Sequence, residues 1–150
     1  MAKQPVVVKI TGRQIMLGGE EQVMELTTTG AYQYKNGEHV LEYSEYDAVD
    51  EQKSNPVAMR LVYDGKQVRM FKEDGESGVT VFEEGKKFIS IRNTMLGTVE
   101  MGLLPLEVYG SFSERGGELD LRYQMDMEQQ MISVNELEVC YYPRGNSVPC

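Results

Sequence analysis

The segment from Glu118 to Glu128 alternates apolar and polar residues with a period of two. Its apolar members are Leu119, Leu121, Tyr123, Met125 and Met127. A helix, with 3.6 residues per turn, would mix the two sets, whereas successive side chains of a strand point to opposite faces. The segment therefore predicts a strand with one buried face, and similar alternation recurs along most of the chain.

Short segments rich in Val, Ile, Tyr, Phe and Thr are predicted as strands throughout the chain. They are Val6–Met16, Gln22–Tyr34, His39–Asp47, Val57–Tyr63, Gln67–Lys72, Gly78–Phe82, Phe88–Asn93, Thr98–Met101, Leu106–Phe112, Glu118–Glu128 and Ile132–Tyr142. Turn signals such as Asn36-Gly37 separate them, because both residues reach positive φ easily. No segment has a convincing helical face, and a short turn is expected near Leu103-Leu104-Pro105.

Short connections between these strands indicate that neighbours in sequence pair in space. A meander with this many strands either closes or splits into two sheets, and closure removes exposed edges. We therefore expect an all-β fold, a single antiparallel meander β-barrel that occupies residues 1–150 as one domain. A chain of 150 residues buries enough surface to need neither a disulfide nor a metal for its core.

The charge of the chain argues against several classes of partner. Its formal net charge is -9, and its 15 Lys and Arg residues do not cluster in sequence. Phosphate backbones and anionic membranes repel such a chain, so neither nucleic acid nor membrane is expected as a partner. No apolar run suits a signal peptide or a membrane span. We expect a cytoplasmic protein with reduced thiols at Cys140 and Cys150, whereas an extracellular protein would pair these two cysteines.

Signatures of catalysis are missing from the sequence. There is no zinc-protease helix motif, Cys-x-x-Cys pair, phosphate-binding glycine loop or nucleophile elbow. The one histidine, His39, follows the Asn36-Gly37 turn and is expected to be a solvated turn residue. With Cys140 and Cys150 it has no finger-like spacing for zinc. No catalytic residue, metal or cofactor is predicted.

Some polar residues share strand faces with apolar ones. Glu45 lies on the face of Leu41 and Tyr43, and burial of an unpaired charge is costly, so such groups should pair or face a wet cavity. The candidates for binding a ligand are Tyr43, Glu45, Lys72, Arg92, Thr94 and Asn135. The alternative is that Glu45 and Lys72 lie near the barrel ends and form an ordinary ion pair.

Two further features allow two interpretations each. Methionines such as Met59, Met70 and Met125 fall within predicted strands, where they either adapt to varied guests or fill an irregular core. Gly97 and Gly102 interrupt a strand-like run, which indicates a bend at a barrel corner or a close approach of a ligand to the backbone.

Four ordered stretches resemble a bacterial family, the YwiB-like domains of unknown function. They are Leu41-Glu42-Tyr43-Ser44-Glu45, Val81-Phe82-Glu83-Glu84-Gly85-Lys86, Asn93-Thr94-Met95-Leu96-Gly97-Thr98-Val99-Glu100-Met101-Gly102 and Ser133-Val134-Asn135-Glu136-Leu137-Glu138-Val139. The resemblance implies a calycin-like barrel, of the kind seen in lipocalins, and no assigned activity. The family often has an arginine where this chain has Lys72, so an anion site built on that arginine is in doubt.

The leading hypothesis is a non-enzymatic barrel that binds a small, partly apolar ligand in its interior. It predicts an interior cavity of about 300 Å3 or more. The alternative is a structural or protein-interaction module, which predicts a filled barrel with an exposed apolar patch or a homodimer face. An enzyme that uses inward Glu45 or a tyrosine with a strongly shifted pKa is the least favoured reading.

Overall fold

The fold is known from a computed structural model that describes residues 3–45, 57–73, 79–95 and 97–145, with backbone alone at residues 45, 57, 73, 92 and 94. These residues form strands and turns, and none belongs to a helix that could cross a membrane. The strands are β1 (Gln4–Met16), β2 (Glu21–Lys35), β3 (Glu38–Glu45), β4 (Val57–Tyr63), β5 (Gln67–Glu73), β6 (Val79–Glu83), β7 (Phe88–Thr94), β8 (Gly97–Ser113), β9 (Gly116–Met127) and β10 (Gln130–Pro143).

The strands form one antiparallel sheet in the order β6-β5-β4-β3-β2-β1-β10-β9-β8-β7. Neighbours in sequence pair as hairpins, and β1 pairs with β10 along its length. The prediction of an all-β antiparallel meander is confirmed. Asn36 and Gly37 have φ of 52° and 79°, as the predicted two-residue hairpin between β2 and β3 requires.

The barrel is nearly closed where β6 meets β7 and β8. β6 and β7 are joined by a turn, and the only pairing found between their flanks in the described residues is the bridge Glu83–Lys86. The amide of Gly85 donates to the carbonyl of Pro105 at 2.9 Å, and the ring of Phe82 contacts that of Tyr123 with centroids 5.1 Å apart. Closure here depends on side-chain packing more than on a ladder.

The turn predicted near Leu103-Leu104-Pro105 is wrong. These residues lie inside β8, a strand of 17 residues that joins two predicted strands. The register against β9 shifts between Pro105 and Glu107. A proline cannot donate to a ladder, and strands accept it at a bulge. The proline therefore marks a local irregularity in one long strand.

One cluster of buried side chains fills the middle of the barrel. Every strand except β7 contributes a residue that is less than a tenth exposed, and β7 contributes the half-buried Phe88. The fully buried members include Val6, Val8, Leu41, Leu61, Val68 and Leu119. They follow the two-residue alternation of their strands, so inward and outward positions can be assigned along the whole sheet.

The backbones of β2 and β3 approach each other closely at Gly30. A Cβ at Gly30, opposite Tyr43, would overlap the carbonyl oxygen of Glu42. Only glycine fits at this point, which fits the use of glycine where a strand bends.

Candidate functional site

The barrel has two ends with different side chains. The tyrosine end is the end formed by turns 36–37, 64–66, 84–87 and 114–115, and the methionine end is the end where β1, β9 and β7 finish and β2, β10 and β8 begin. Each inward-facing residue can be assigned to one end or to the core from the register of the ladders.

Aromatic rings fill the tyrosine end. Tyr32 stacks on Tyr141 with ring centroids 4.9 Å apart, and Phe112 meets Tyr141 edge-on at 5.3 Å. Tyr63 contacts Phe112 at 5.4 Å. Such pairs stabilise a fold beyond the burial of their area. The rings come from β2, β4, β8 and β10, so they tie distant strands of the sheet together.

The hydroxyl of Tyr141 is fixed by the backbone of β8. It donates to the carbonyl of Ser113 at 2.6 Å and accepts from the amide of Ser113 at 3.0 Å. Burial raises the pKa of Tyr141 well above its ordinary value, because the charged form would be desolvated. Tyr141 is therefore a neutral structural residue.

His39 is not the solvated turn residue that the sequence predicts. Its side chain is half-buried and its ring lies among those of Tyr32, Tyr34 and Phe112, with centroids 6.0, 4.8 and 5.6 Å away. Its Nδ1 is 2.7 Å from the hydroxyl of Tyr32, and burial lowers its pKa. The alternation of β3 explains the error, because position 39 lies on the inward face.

The methionine end is lined by thioethers instead of rings. Seven of the ten methionines lie at inward positions, six of them in this half of the barrel and Met70 in the middle of β5. They are Met16, Met24, Met59, Met70, Met101, Met125 and Met127. Met24 is 40% exposed and Met127 is 42% exposed, and the other five are half-buried. Inward apolar side chains here stay in contact with solvent.

A buried polar pair lies among the inward residues of the methionine end. Asn135 is 5% exposed and Ser133 is 1% exposed, and the amide nitrogen of Asn135 donates to the hydroxyl of Ser133 at 3.0 Å. Tyr123, opposite Asn135 on β9, has its pKa raised by burial. Polar groups inside an apolar lumen can orient a guest.

The structure brings part of the predicted ligand set to the methionine half. Tyr43 is buried, and it shares an inward row with Met59 and Lys72. Lys72 is exposed and Asn135 is buried. The structure describes only the backbone of the other three predicted residues, Glu45, Arg92 and Thr94. Their backbones lie in the strand segments next to the methionine end of the barrel. Binding by this set stays a prediction, as does an ion pair between Glu45 and Lys72.

A groove of about 380 Å3 lies on the outer face of β2 to β5 and not in the lumen. Its floor is apolar and its rim is charged. The lining residues are Lys3, Gln33, Lys35, Glu38, Val40, Glu42, Arg60, Val62, Arg69 and Phe71. Sequence reasoning missed this groove, because alternation assigns its residues to the outward face of their strands and does not show that they form a groove.

Gly102 makes room for an ion pair on the outer surface. A Cβ at this position would overlap the carboxylate of Asp126 and the side chain of Lys87, whose Nζ and Oδ2 are 2.8 Å apart. Gly97, the first residue of β8, has φ of 114°. A structural role for both glycines therefore fits their surroundings.

The described residues provide neither a free cysteine nor a metal site. Cys140 is disulfide-bonded, so the expectation of reduced thiols is wrong at this residue, while Cys150 lies outside the described residues. The part of the chain that the structure describes has no group of His, Cys, Asp or Glu side chains suited to a metal. A cytoplasmic location stays a prediction.

Comparison with known proteins connects this barrel with a family. A family model described as a domain of unknown function, DUF1934, matches residues 8–139. The chain belongs to this family. The DUF1934 match covers strands β2 to β9 and most of β1 and β10, so the family is defined by nearly the whole barrel. No curated protein sequence matches the chain.

A solved structure shares the fold of this DUF1934 domain. The crystal structure of YwiB from Bacillus subtilis superposes with a TM-score of 0.78 at 17% identity, over 94% of this chain and 92% of that one. The predicted resemblance to YwiB-like domains is confirmed. At this identity the likeness extends to the fold alone.

Proposed function

We propose that this DUF1934 domain is a non-enzymatic barrel that binds a small, partly apolar molecule through its methionine end. The observation that carries the proposal is the partial exposure of inward apolar side chains there, with Met24 and Met127 about 40% exposed. At the tyrosine end the deeper inward rings, Tyr32 and Tyr141, are 2% and 1% exposed, and the outermost ring, Tyr34, is 46% exposed.

The chemistry of the lining indicates the class of ligand. Thioether side chains are flexible and polarisable, and they adapt to apolar guests of varied shape. The half-buried Leu26 and Leu137 extend this apolar lining. A guest with an aliphatic or aromatic body fits such a surface better than a sugar or a nucleotide does.

Polar groups at the same end supply the means to orient the guest. The Asn135 amide donates to the Ser133 hydroxyl within the lining, where Ser133 lies opposite Met16 and Met125. Lys72 is exposed on the row of Tyr43 and Met59, and Glu45, Arg92 and Thr94 complete the proposed set. A few placed polar groups in an apolar pocket are the usual composition of small-molecule sites.

A neutral fluorescent probe tests the proposal. N-Phenyl-1-naphthylamine fluoresces in apolar surroundings and carries no charge to attract it to the outer groove. We expect a saturable rise in fluorescence with the native protein. Replacement of Met59→Gln together with Met125→Gln puts polar amides into the lining and should weaken binding roughly tenfold.

The control replaces two outward apolar residues, Ile89→Gln and Ile91→Gln. These residues are 53% and 70% exposed on β7, so the control changes the outer surface and leaves the lumen intact. Unchanged probe affinity in the control is expected. Absence of a saturable signal, or an equal loss in both variants, would overturn the proposal.

A second candidate is a protein-interaction module. β7 is the last strand of the sheet order, and its outward Ile89 and Ile91 are exposed beside the fully exposed Met95. An edge strand with exposed apolar residues is a template for pairing with another chain. Sedimentation of the native protein and of Ile91→Lys tests it: a dimer that the lysine disperses supports this function, and a native monomer at all concentrations excludes self-pairing.

A further inference from the structure

The groove on the outer face of β2 to β5 has the chemistry of an anion site. The chain carries a net charge of -9, yet four of the ten lining residues are cations and only two are carboxylates. The cations are Lys3, Lys35, Arg60 and Arg69. A positive surface on an acidic protein attracts small anions and sets their direction of approach.

Ion pairs within the groove neutralise half of these cations. Arg69 pairs with Glu38, and the Lys3 Nζ lies 3.0 Å from the Glu42 carboxylate. Lys35 and Arg60 form no ion pair with any residue that the structure describes. Two positive charges are therefore left to meet an incoming ligand.

The position of Arg60 favours a carboxylate. Its guanidinium lies over the ring of Phe71, 4.5 Å from the ring centroid. Stacking holds the planar group in place while its N–H edge stays available, and this edge matches the two oxygens of a carboxylate. Nearby Glu38 and Glu42 carry negative charge, which favours a ligand with one negative charge over a dianion.

The floor of the groove receives the rest of the ligand. Val40 and Val62 are paired across β3 and β4, and Val62 is 6% exposed although it points outward. The groove volume of about 380 Å3 is in the range of small-molecule sites. A planar apolar body of one ring can lie on this floor beside Phe71.

From these contacts we infer that the outer groove binds a small aromatic carboxylate, with its charge on Arg60 and its ring on Val40, Val62 and Phe71. This site is separate from the lumen, and it does not depend on the proposed function. The two sites differ in ligand charge, so they can be tested independently.

Benzoate and its neutral isostere benzamide are the probes. Benzoate titrated into 15N-labelled protein should shift the amide signals of Val40, Val62 and Phe71 saturably, while benzamide should not. Arg60→Gln should weaken benzoate binding roughly tenfold, since it removes a charge-assisted hydrogen-bond pair. Arg60→Lys keeps the positive charge but lacks the planar N–H edge of the guanidinium, so it should retain only part of the affinity for benzoate.

The matched control is Arg122→Gln. Arg122 is also an exposed arginine on a strand, in β9, and its replacement should leave benzoate binding unchanged. Unfolding midpoints of all variants establish that each is folded. Equal shifts with benzamide, or benzoate binding that survives Arg60→Gln at native strength, would overturn the inference.

Discussion

The two ends of the barrel are built from the same alternation but are lined by different kinds of side chain. At the tyrosine end, inward rings stack on one another and the hydroxyl of Tyr141 is satisfied by Ser113 at 2.6 and 3.0 Å. At the methionine end, inward thioethers stay partly exposed. Rigid rings have few rotamers and fixed contact geometry, whereas methionine has three rotatable bonds and adapts.

The comparison assigns the stability of the fold to one end of the barrel and the accommodation of a ligand to the other. Contacts between β2, β4, β8 and β10 at the tyrosine end fix the circumference of the barrel, so that end should carry much of the folding free energy. The methionine end can then rearrange around a guest without loss of the fold. The predictions below test this division by matched changes at the two ends.

The largest effect is expected from truncation of Tyr141. Tyr141→Ala should lower the free energy of unfolding by about 4 kcal/mol, because it removes a fully buried ring and leaves a cavity. Met125→Ala at the other end should cost about 1 kcal/mol, since its half-buried side chain contributes less burial. Urea unfolding of both variants gives the two values. Equal losses would contradict the division between the ends.

A smaller effect is expected from added methyl groups at two inward glycines. A Cβ at Gly110 would lie 2.7 Å from the ring of Tyr63, whereas a Cβ at Gly12 would be 3.6 Å from Met24, an ordinary contact. Gly110→Ala should therefore destabilise by about 2 kcal/mol, and Gly12→Ala should be neutral or slightly stabilising.

Thermal unfolding of the two alanine variants measures this contrast. A large loss at Gly12 would mean that the methionine end is as tightly packed as the tyrosine end. A tolerated methyl at Gly110 would mean that the ring of Tyr63 is free to move.

The smallest effect is a pH dependence from His39. Because burial lowers its pKa, the unfolded chain binds this proton more readily than the folded protein does. The stability linked to His39 is therefore present above its ordinary pKa of about 6.5 and is lost as the pH falls below that value. Unfolding of native protein and His39→Gln at pH 7.5 and 5.5 should show a larger decline in the native protein.

Equal declines in both proteins would place His39 outside the packed ring cluster. The comparison between the ends would then lose one of the groups that close the tyrosine end.

Local patterns in the sequence were enough to predict most of the strands and several of the hairpins. β9 follows from its alternation, and the turn at Asn36-Gly37 follows from backbone preference. The turn at Glu128 and Gln129 was not predicted, because both are non-glycine residues with positive φ, of 50° and 70°. It is held from a distance, where the Glu128 amide donates to the carbonyl of Glu100 at 2.9 Å and the Glu128 carboxylate accepts from the Glu100 amide at 2.8 Å.

The arrangement of the candidate sites could not be read from the chain. Alternation assigns residues to a face, but it does not say which end of a barrel closes. His39 and Tyr141 are about a hundred positions apart in sequence and meet the same ring of Phe112 only after the sheet curls. The bulge at Pro105 and the near-closure at β6 depend on the same long-range geometry.

Xenon binding tests most directly the claim that the lumen is accessible at the methionine end. Xenon enters apolar cavities, and its contacts can be followed on 13C-methyl signals of methionine and valine. The account predicts saturable shifts at Met59, Met70 and Met125 as the xenon pressure rises, with little change at Val6 and Val8 in the filled core. Shifts confined to outward methyl groups, or none at the inward methionines, would contradict it.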